Sequence, residues 1–542
     1  MQKKLSSWIM LMLVASSVWA QQNVVERPKM VIGIMVDQMR WDYLYRFYHK
    51  YGDGGFRRIL KNGFTCENTL INYAPTVTAC GHTCVYTGSV PAIHGIVGNE
   101  WYNRSTDKIV YCTDDSTAKL VGGNKEKISM SPRNMLATTV GDELRMSTNF
   151  KSKVVSIALK DRAAILPGGH SANAAFWYDD ASGHFVTSTY YMPTLPQWAT
   201  NFNNAKNVNK YLAKNWETLY PINTYVESTA DDKPYEIPNK GENKPVFIHK
   251  LDNFIDKDFG MIKNSPYGNS LTFDFAKAAI EGFQLGATTT DMLAISFSSP
   301  DIIGHAFGPN SVEVQDVYLR LDKELAAFLT YLDGKYGKNN YLMFITADHG
   351  VAESPGYLKE NALPGGALEL SLANSLNEKL AKRFGIPKAI LSDEGAQIYL
   401  DKVAIAAAKL NQVEIENFII DELRTYNDIA DAVSVQQQQL NSLPAPFAQM
   451  YINGRNAKRC GDIFIIQAPG VKNGSAMGAT HGSMYPYDAH IPLLWFGWKV
   501  PTGKSNRTMG MTDIAPTVAA FLQIQMPSGN VGHPITEILP TK

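Results

Sequence analysis

Short apolar runs alternate along this chain with stretches of helical period. KMVIGIMVD, KVVSIALK, DMLAISFSS, NYLMFITAD, DIFIIQAPG and HIPLLWFGW are dominated by Val, Ile, Leu and Phe. Continuous apolar runs of this length read as strands buried on both faces. WDYLYRFYHKY and VYLRLDKELAAFLTYLDG instead return apolar residues every three to four positions, the period of a half-buried helix. Strands alternating with helices predict an α/β protein with a mostly parallel central sheet.

Two stretches break the rhythm. Residues from about 185 to 275 are rich in Asn, Pro, Tyr and Trp with weak periodicity. Residues from about 355 to 460 carry helical patterns such as VEIENFIIDELRTY and a short QQQQ run, read as solvated surface. Both are expected to be insertions over the strand ends, forming a cap. No internal repeat is visible.

The first twenty residues have the layout of a secretory signal. Lys3 and Lys4 precede the apolar stretch WIMLMLVA, and Val18-Trp19-Ala20 suits signal peptidase, making Gln21 the mature start. The apolar stretch is shorter than the roughly 20 residues that span a bilayer. The expectation is a signal peptide over 1–20 and one catalytic unit over 21–542, periplasmic or secreted. No cysteine follows the cut and no second spanning segment is seen, so no membrane anchor is expected.

With 542 residues and 45% hydrophobic content, a large core is easily buried. Lys+Arg and Asp+Glu both number 51, so no basic excess points to nucleic acid. Attraction for an anionic substrate must then come from a local site. The five cysteines are Cys66, Cys80, Cys84, Cys112 and Cys460. An exported protein keeps disulfides, and Cys66 with Cys112 is the favoured pair. Cys80 and Cys84, one helical turn apart, are poorly placed to bond each other.

Six metal-binding side chains stand just after strand-like runs or in loops. Asp37 ends MVIGIMVDQ, Asp301 follows DMLAISFSSP, and Asp348-His349 ends YLMFITADHG. His305 is four residues beyond Asp301, one turn away if the segment is helical. His481 lies in ATHGSMYPYDAHIPLL, with His490 as its rival. Singly, each residue has a structural reading as a helix cap or a core histidine. Together they would converge on the crevice at the carboxyl ends of parallel strands, where open α/β sheets bind ligands. Three histidines and three carboxylates suffice for two zinc ions.

In PTVTACGHT, Thr78 precedes an apolar segment, with Thr76 competing for the role of helix cap. A hydroxyl at a helix start beside two metals has the parts of a phosphoryl-transfer nucleophile. Its neutral hydroxyl is inert until a metal ionises it. Asn99 in IVGNEWY could donate to a phosphoryl oxygen. Lys160 and Arg162, in LKDRAAILPGG, form either a surface cluster with Asp161 or a phosphate clamp.

These segments resemble the alkaline phosphatase superfamily, and more narrowly the phosphate-insensitive, PafA-type bacterial alkaline phosphatases. The likeness rests on VDQMRWDYLYR, PTVTA, GHT, LKDRA, GHAFGPNS, ADHG, THGS and MTDIAPTVAAFLQIQMPSG, and covers nearly the whole mature chain. It implies an alkaline-phosphatase-like three-layer fold. Asp301, His305 and His481 would hold a zinc on the leaving-group side. Asp37, Asp348 and His349 would hold the zinc that activates Thr78. Asn99, Lys160 and Arg162 would hold phosphoryl oxygens. The implied reaction is hydrolysis of small phosphate monoesters, over a broad range, through a phosphothreonine at Thr78. A monomer is expected. Cys80 and Cys84 depart from the apolar or small residues the pattern carries there.

A phosphodiesterase of the same superfamily is the nearest rival. It would share the metals, Thr78 and Asn99 but have no need of Lys160 and Arg162. A sulfatase would require C-x-P-x-R where Cys80-Gly81-His82 stands. The signal peptide disfavours a manganese-dependent phosphomutase, and the intact nucleophile disfavours a non-catalytic phosphate or zinc binder.

Overall fold

The computed structural model describes residues 25–123, 128–368, 372–434 and 443–540. The expected signal peptide and the QQQQ run lie outside them. The architecture is α/β around a large, mostly parallel central sheet, 12-stranded among the described residues. Its middle strand, Met30–Val36, is buried throughout and runs parallel to Asp291–Phe297 on one side and Tyr341–Thr346 on the other. Asp291–Phe297 continues in parallel to Val154–Ala158, and that strand to Ala174–Asp179. Tyr341–Thr346 meets Leu493–Gly497 in antiparallel sense.

Burial on both faces explains why these strands read as unbroken apolar runs. The parallel register has a functional consequence. Met30, Asp291 and Tyr341 are opposite one another, so Asp37, the Asp301 segment and Asp348 all emerge from the same edge of the sheet. Val154–Ala158 delivers Lys160 to that edge as well.

The stretch near 185–275 is mainly irregular, with short helical turns and the longer helix Tyr267–Gly282, and it packs onto the main core through Trp216, Tyr225 and Leu251. The later insertion is a small body of its own. It has a four-stranded sheet in the order Ile390–Ser392, Gln397–Leu400, Ile463–Gln467, Ile429–Ser434, and a separate core around Leu376, Ile398, Ile415 and Ile419. This unit runs past residue 460, because Ile463–Gln467 is an inner strand of its sheet. Among the described residues no helix is long and apolar enough to cross a membrane.

The expected Cys66–Cys112 pair is not formed, and all five thiols are free and buried. Cys66 belongs to the main core, whereas Cys112 lies in a separate cluster with Cys460 and Ala79. Burial pushes the Cys66 thiol up to about 12.

Candidate active site

Thr78 is the first residue of the helix Thr78–Thr87, every side chain of which is buried. Val77, in extended conformation, occupies the capping position, so Thr78 is not the cap. Thr76 is engaged elsewhere: its hydroxyl donates to Ser483 O at 2.8 Å. The Asn99 side-chain oxygen accepts from Ala79 N at 3.0 Å, satisfying one of the free amides of the first turn. Asn99 thereby caps the helix from a distant loop and stands beside Thr78.

The helix sits close to the metal-binding strand ends because Gly81 lacks a Cβ. A Cβ there would lie 2.4 Å from Asp348 O and 2.6 Å from Asp348 Cβ. Gly350 serves a similar purpose. Its backbone angle is not the left-handed one that a tight turn would require; a Cβ would instead collide with Tyr487 O at 2.2 Å.

The six candidate ligands converge. His305 Nε2 is 3.2 Å from Asp301 Oδ1, one turn back on the helix Ser299–Phe307, and His481 Nε2 is 3.5 Å from the same oxygen. His349 Nε2 is 3.6 Å from Asp37 Oδ1 and 3.5 Å from Asp348 Oδ2. Two groups have donor atoms mutually close enough for one ion: Asp301, His305 and His481, and Asp37, Asp301 and His349. Asp301 therefore lies between the groups, and Asp348 joins the second through His349. His490 lies outside both; its Nε2 meets Glu67 O at 2.9 Å and its ring stacks on Trp41.

The donor chemistry fits metal ions. The Nδ1 of each histidine faces a backbone carbonyl: Ala479 O for His305, Gly350 O for His349, Thr76 O for His481. Donation there leaves the Nε2 lone pair turned toward the carboxylates, the tautomer a metal ligand needs. Asp37 Oδ1 and His349 Nε2 are buried without a hydrogen-bond partner. Acceptors facing acceptors in a buried site call for cations. Burial, then the neighbouring His349 and His305, holds His481 well below the usual imidazole range, which keeps its nitrogen available. Burial, then the Asp301 and Asp348 charges, raises Asp37 well above the usual carboxylate range.

Lys160 is in the middle of this cluster, its ammonium 2.7 Å from Asp37 Oδ2 and 2.5 Å from Asp301 Oδ2. Burial opposes its charge, but the two carboxylates prevail and raise its pKa. Arg162 is two residues on, in the first turn of the helix Asp161–Gly168, and donates to the Tyr111 hydroxyl at 3.0 Å. Its Nε is buried without a partner. Asn99, Arg162 and His481 line one cavity of about 660 Å³, the opening of the site to solvent.

The family model for type I phosphodiesterase/nucleotide pyrophosphatase matches residues 31–484. The chain belongs to this family. It is 49% identical over 518 residues to alkaline phosphatase PhoV of Synechococcus elongatus, covering 95% of this chain and 94% of the relative. It is 46% identical over 541 residues to alkaline phosphatase PafA of Elizabethkingia meningoseptica, covering 98% of each. The crystal structure of wild-type alkaline phosphatase PafA matches with a TM-score of 0.93 at 46% identity, over 96% of this chain and 100% of that one.

In this family member, several site residues escape a reading of the sequence. His82 Nδ1 faces Thr78 O at 2.9 Å and Asp348 Oδ2 at 3.2 Å, while its Nε2 meets Ser296 Oγ at 2.8 Å. It ties the Thr78 helix to the candidate ligand Asp348. Its one signal was the spacing of four from Thr78, a full helical turn. Gln38 fixes Asp301 through its amide at 2.7 Å and Asp348 through its backbone N–H at 3.2 Å. Gly304 leaves room for it, since a Cβ there would strike Gln38 Oε1. Asp488 Oδ2 gathers the Gly482 and Ser483 amides and so shapes the loop carrying His481.

Proposed function

We propose that the chain is a zinc-dependent alkaline phosphatase that hydrolyses phosphate monoesters through a phosphothreonine at Thr78. The observation that carries this reading is the meeting of Thr78, two donor groups, Asn99, Lys160 and Arg162 at one edge of the sheet.

Asp301, His305 and His481 would hold one ion, and Asp37, Asp348 and His349 the other, with Thr78 as a further ligand. Imidazole with carboxylate suits zinc better than calcium or magnesium. When bound, the two ions supply Lewis acidity that lowers the pKa of a hydroxyl or water and neutralises phosphoryl charge.

The chain's own groups do the rest. The Thr78 hydroxyl, at the positive end of its helix, attacks phosphorus in line, forming the new P–O bond as the bond to the leaving alcohol breaks. Water then attacks the phosphothreonine from the vacated side, releasing inorganic phosphate and returning Thr78. Asn99, held by Ala79 N, donates its amide to a phosphoryl oxygen. Arg162 is braced by Tyr111, which leaves its remaining N–H groups for the substrate. Lys160 adds a fixed positive charge between the two donor groups. The broad opening supports a wide range of alcohols, and the N-terminal leader supports export.

Lys160 and Arg162 favour monoesters over diesters. A monoester presents three non-bridging oxygens and close to two negative charges; a diester replaces one oxygen with a second organic group. Losing a charge-assisted contact costs roughly 1.5–3 kcal/mol, about tenfold or more in rate. In Lys160→Ala/Arg162→Ala, kcat/KM for a monoester should fall at least tenfold more than for a matched diester. Equal losses would remove the physical basis of the monoesterase reading and favour the phosphodiesterase one.

A further inference from the structure

The cavity lined by Asn99, Arg162 and His481 has a second charged wall, which starts at Glu100, the residue after Asn99. It is built where the strand Glu100–Asn103 meets the turn Glu394–Ala396 of the small inserted body. Three carboxylates line it: Glu100, Asp393 and Glu394. The remaining lining is apolar or neutral, including Val77, Val97, Phe464, Met484 and Tyr485. Arg162 is the sole lysine or arginine among the lining residues, and it belongs to the proposed phosphoryl clamp.

Resting on the monoesterase reading, we propose that this wall selects substrates by the charge of the leaving alcohol: alcohols bearing an ammonium are favoured, and those bearing a carboxylate or a further phosphate are disfavoured. Placement argues for it. Asn99 and Arg162, the groups that would hold the phosphoryl oxygens, line the same cavity as these carboxylates, so the leaving alcohol of a bound ester shares that cavity with them. Asp393 is fixed there by accepting from Ala373 N at 3.0 Å. Glu394 is partly buried, and its carboxyl is raised first by that burial and then by the Glu100 charge opposite. The strand that carries Glu100 packs against the turn that carries Glu394, so the two carboxylates share one wall, and a cation beside them would be favoured. A cavity with one sign of charge and low-dielectric walls concentrates ligands of the other sign. The phosphoryl clamp and the wall thus bring opposite charges to one cavity, complementary to the two charges of a zwitterionic monoester.

The test compares aminoethyl phosphate, propyl phosphate and phosphoglycolate on wild-type enzyme and on Glu100→Gln/Glu394→Gln. Intrinsic leaving-group reactivity cancels when each ratio is compared between the two proteins. The kcat/KM ratio of the aminoethyl to the carboxylate ester should fall roughly tenfold in the double variant, with the propyl ester intermediate. In the wild type the same ratio should shrink as salt rises, since exposed charges are screened. A ratio unmoved by both the substitutions and salt would overturn the proposal while leaving monoester hydrolysis intact. A wild-type enzyme that turns over none of the three, nor any other monoester, would overturn the underlying reading and this proposal with it.

Discussion

At the scale of single residues, a buried polar atom has a role when its partner can be named. The three candidate ligand histidines illustrate this: each has Nδ1 on a backbone carbonyl and Nε2 aimed at carboxylates. Most of the candidate ligands stand out in the sequence because they come just after apolar strand runs; His481, in a loop ahead of a strand, is the exception. His82 and Gln38 were not, because a histidine within an apolar helix and a glutamine beside an aspartate read as ordinary core and loop residues. His94 shows a different use of burial. Its Nδ1 accepts from Ile96 N at 3.1 Å, its Nε2 has no partner, and burial followed by the Arg459 charge lowers it to about 3. In the unfolded chain a histidine titrates near 6.5. Protons therefore favour the unfolded state below that value, and this stability is full above about 6.5 and lost as pH falls toward 3, at about 1.4 kcal/mol per pH unit. Denaturant midpoints for wild type and His94→Gln should thus converge on acidification, with the wild type losing more. Parallel pH profiles would show that His94 is not held neutral.

At the scale of elements, the fold places the proposed nucleophile by close contact between the Thr78 helix and Asp348, just beyond the strand Tyr341–Thr346. Gly81 is the residue that permits it, with Asp348 backbone where its Cβ would be. Gly81→Ala must push the helix and the Asp348 segment apart. Overpacking of this sort costs roughly 1–3 kcal/mol, and the displaced pair is the proposed nucleophile and a candidate ligand. Activity is expected to fall at least a hundredfold, the order a 1 Å misplacement costs, while the circular dichroism spectrum stays native. An Ala variant with near wild-type kcat/KM would mean that the contact does not position the chemistry. The alternation of elements was legible because strands buried on both faces leave unbroken apolar runs. The small inserted body was legible only as helical patterning. Its short strands, such as Ile390–Ser392 and Gln397–Leu400, bury too few residues to leave a clear period, and its sheet draws on Ile463–Gln467, remote in sequence from the others.

At the scale of the whole molecule, the candidate ligands come from four distant segments, around residues 37, 301–305, 348–349 and 481. Ions bound there would tie the sheet edge together and stabilise the fold by mass action. Chelation should abolish turnover and lower the melting temperature, and zinc should restore both; metal content measured alongside checks that removal was complete. Unchanged melting and unchanged rate in metal-free protein would contradict the binuclear reading. The five buried free thiols predict that mild reductant leaves the melting temperature unchanged.

The central claim is that Thr78 carries the phosphoryl group between substrate and water. The most direct measurement is peptide mass spectrometry of enzyme quenched in acid during steady turnover of a monoester. The account predicts a phosphoryl group on Thr78, absent from Thr78→Ala, which should lose most of its turnover, and present in a partly active Thr78→Ser at the new serine. Phosphate trapped on Thr76, or on no residue while turnover proceeds, would contradict it.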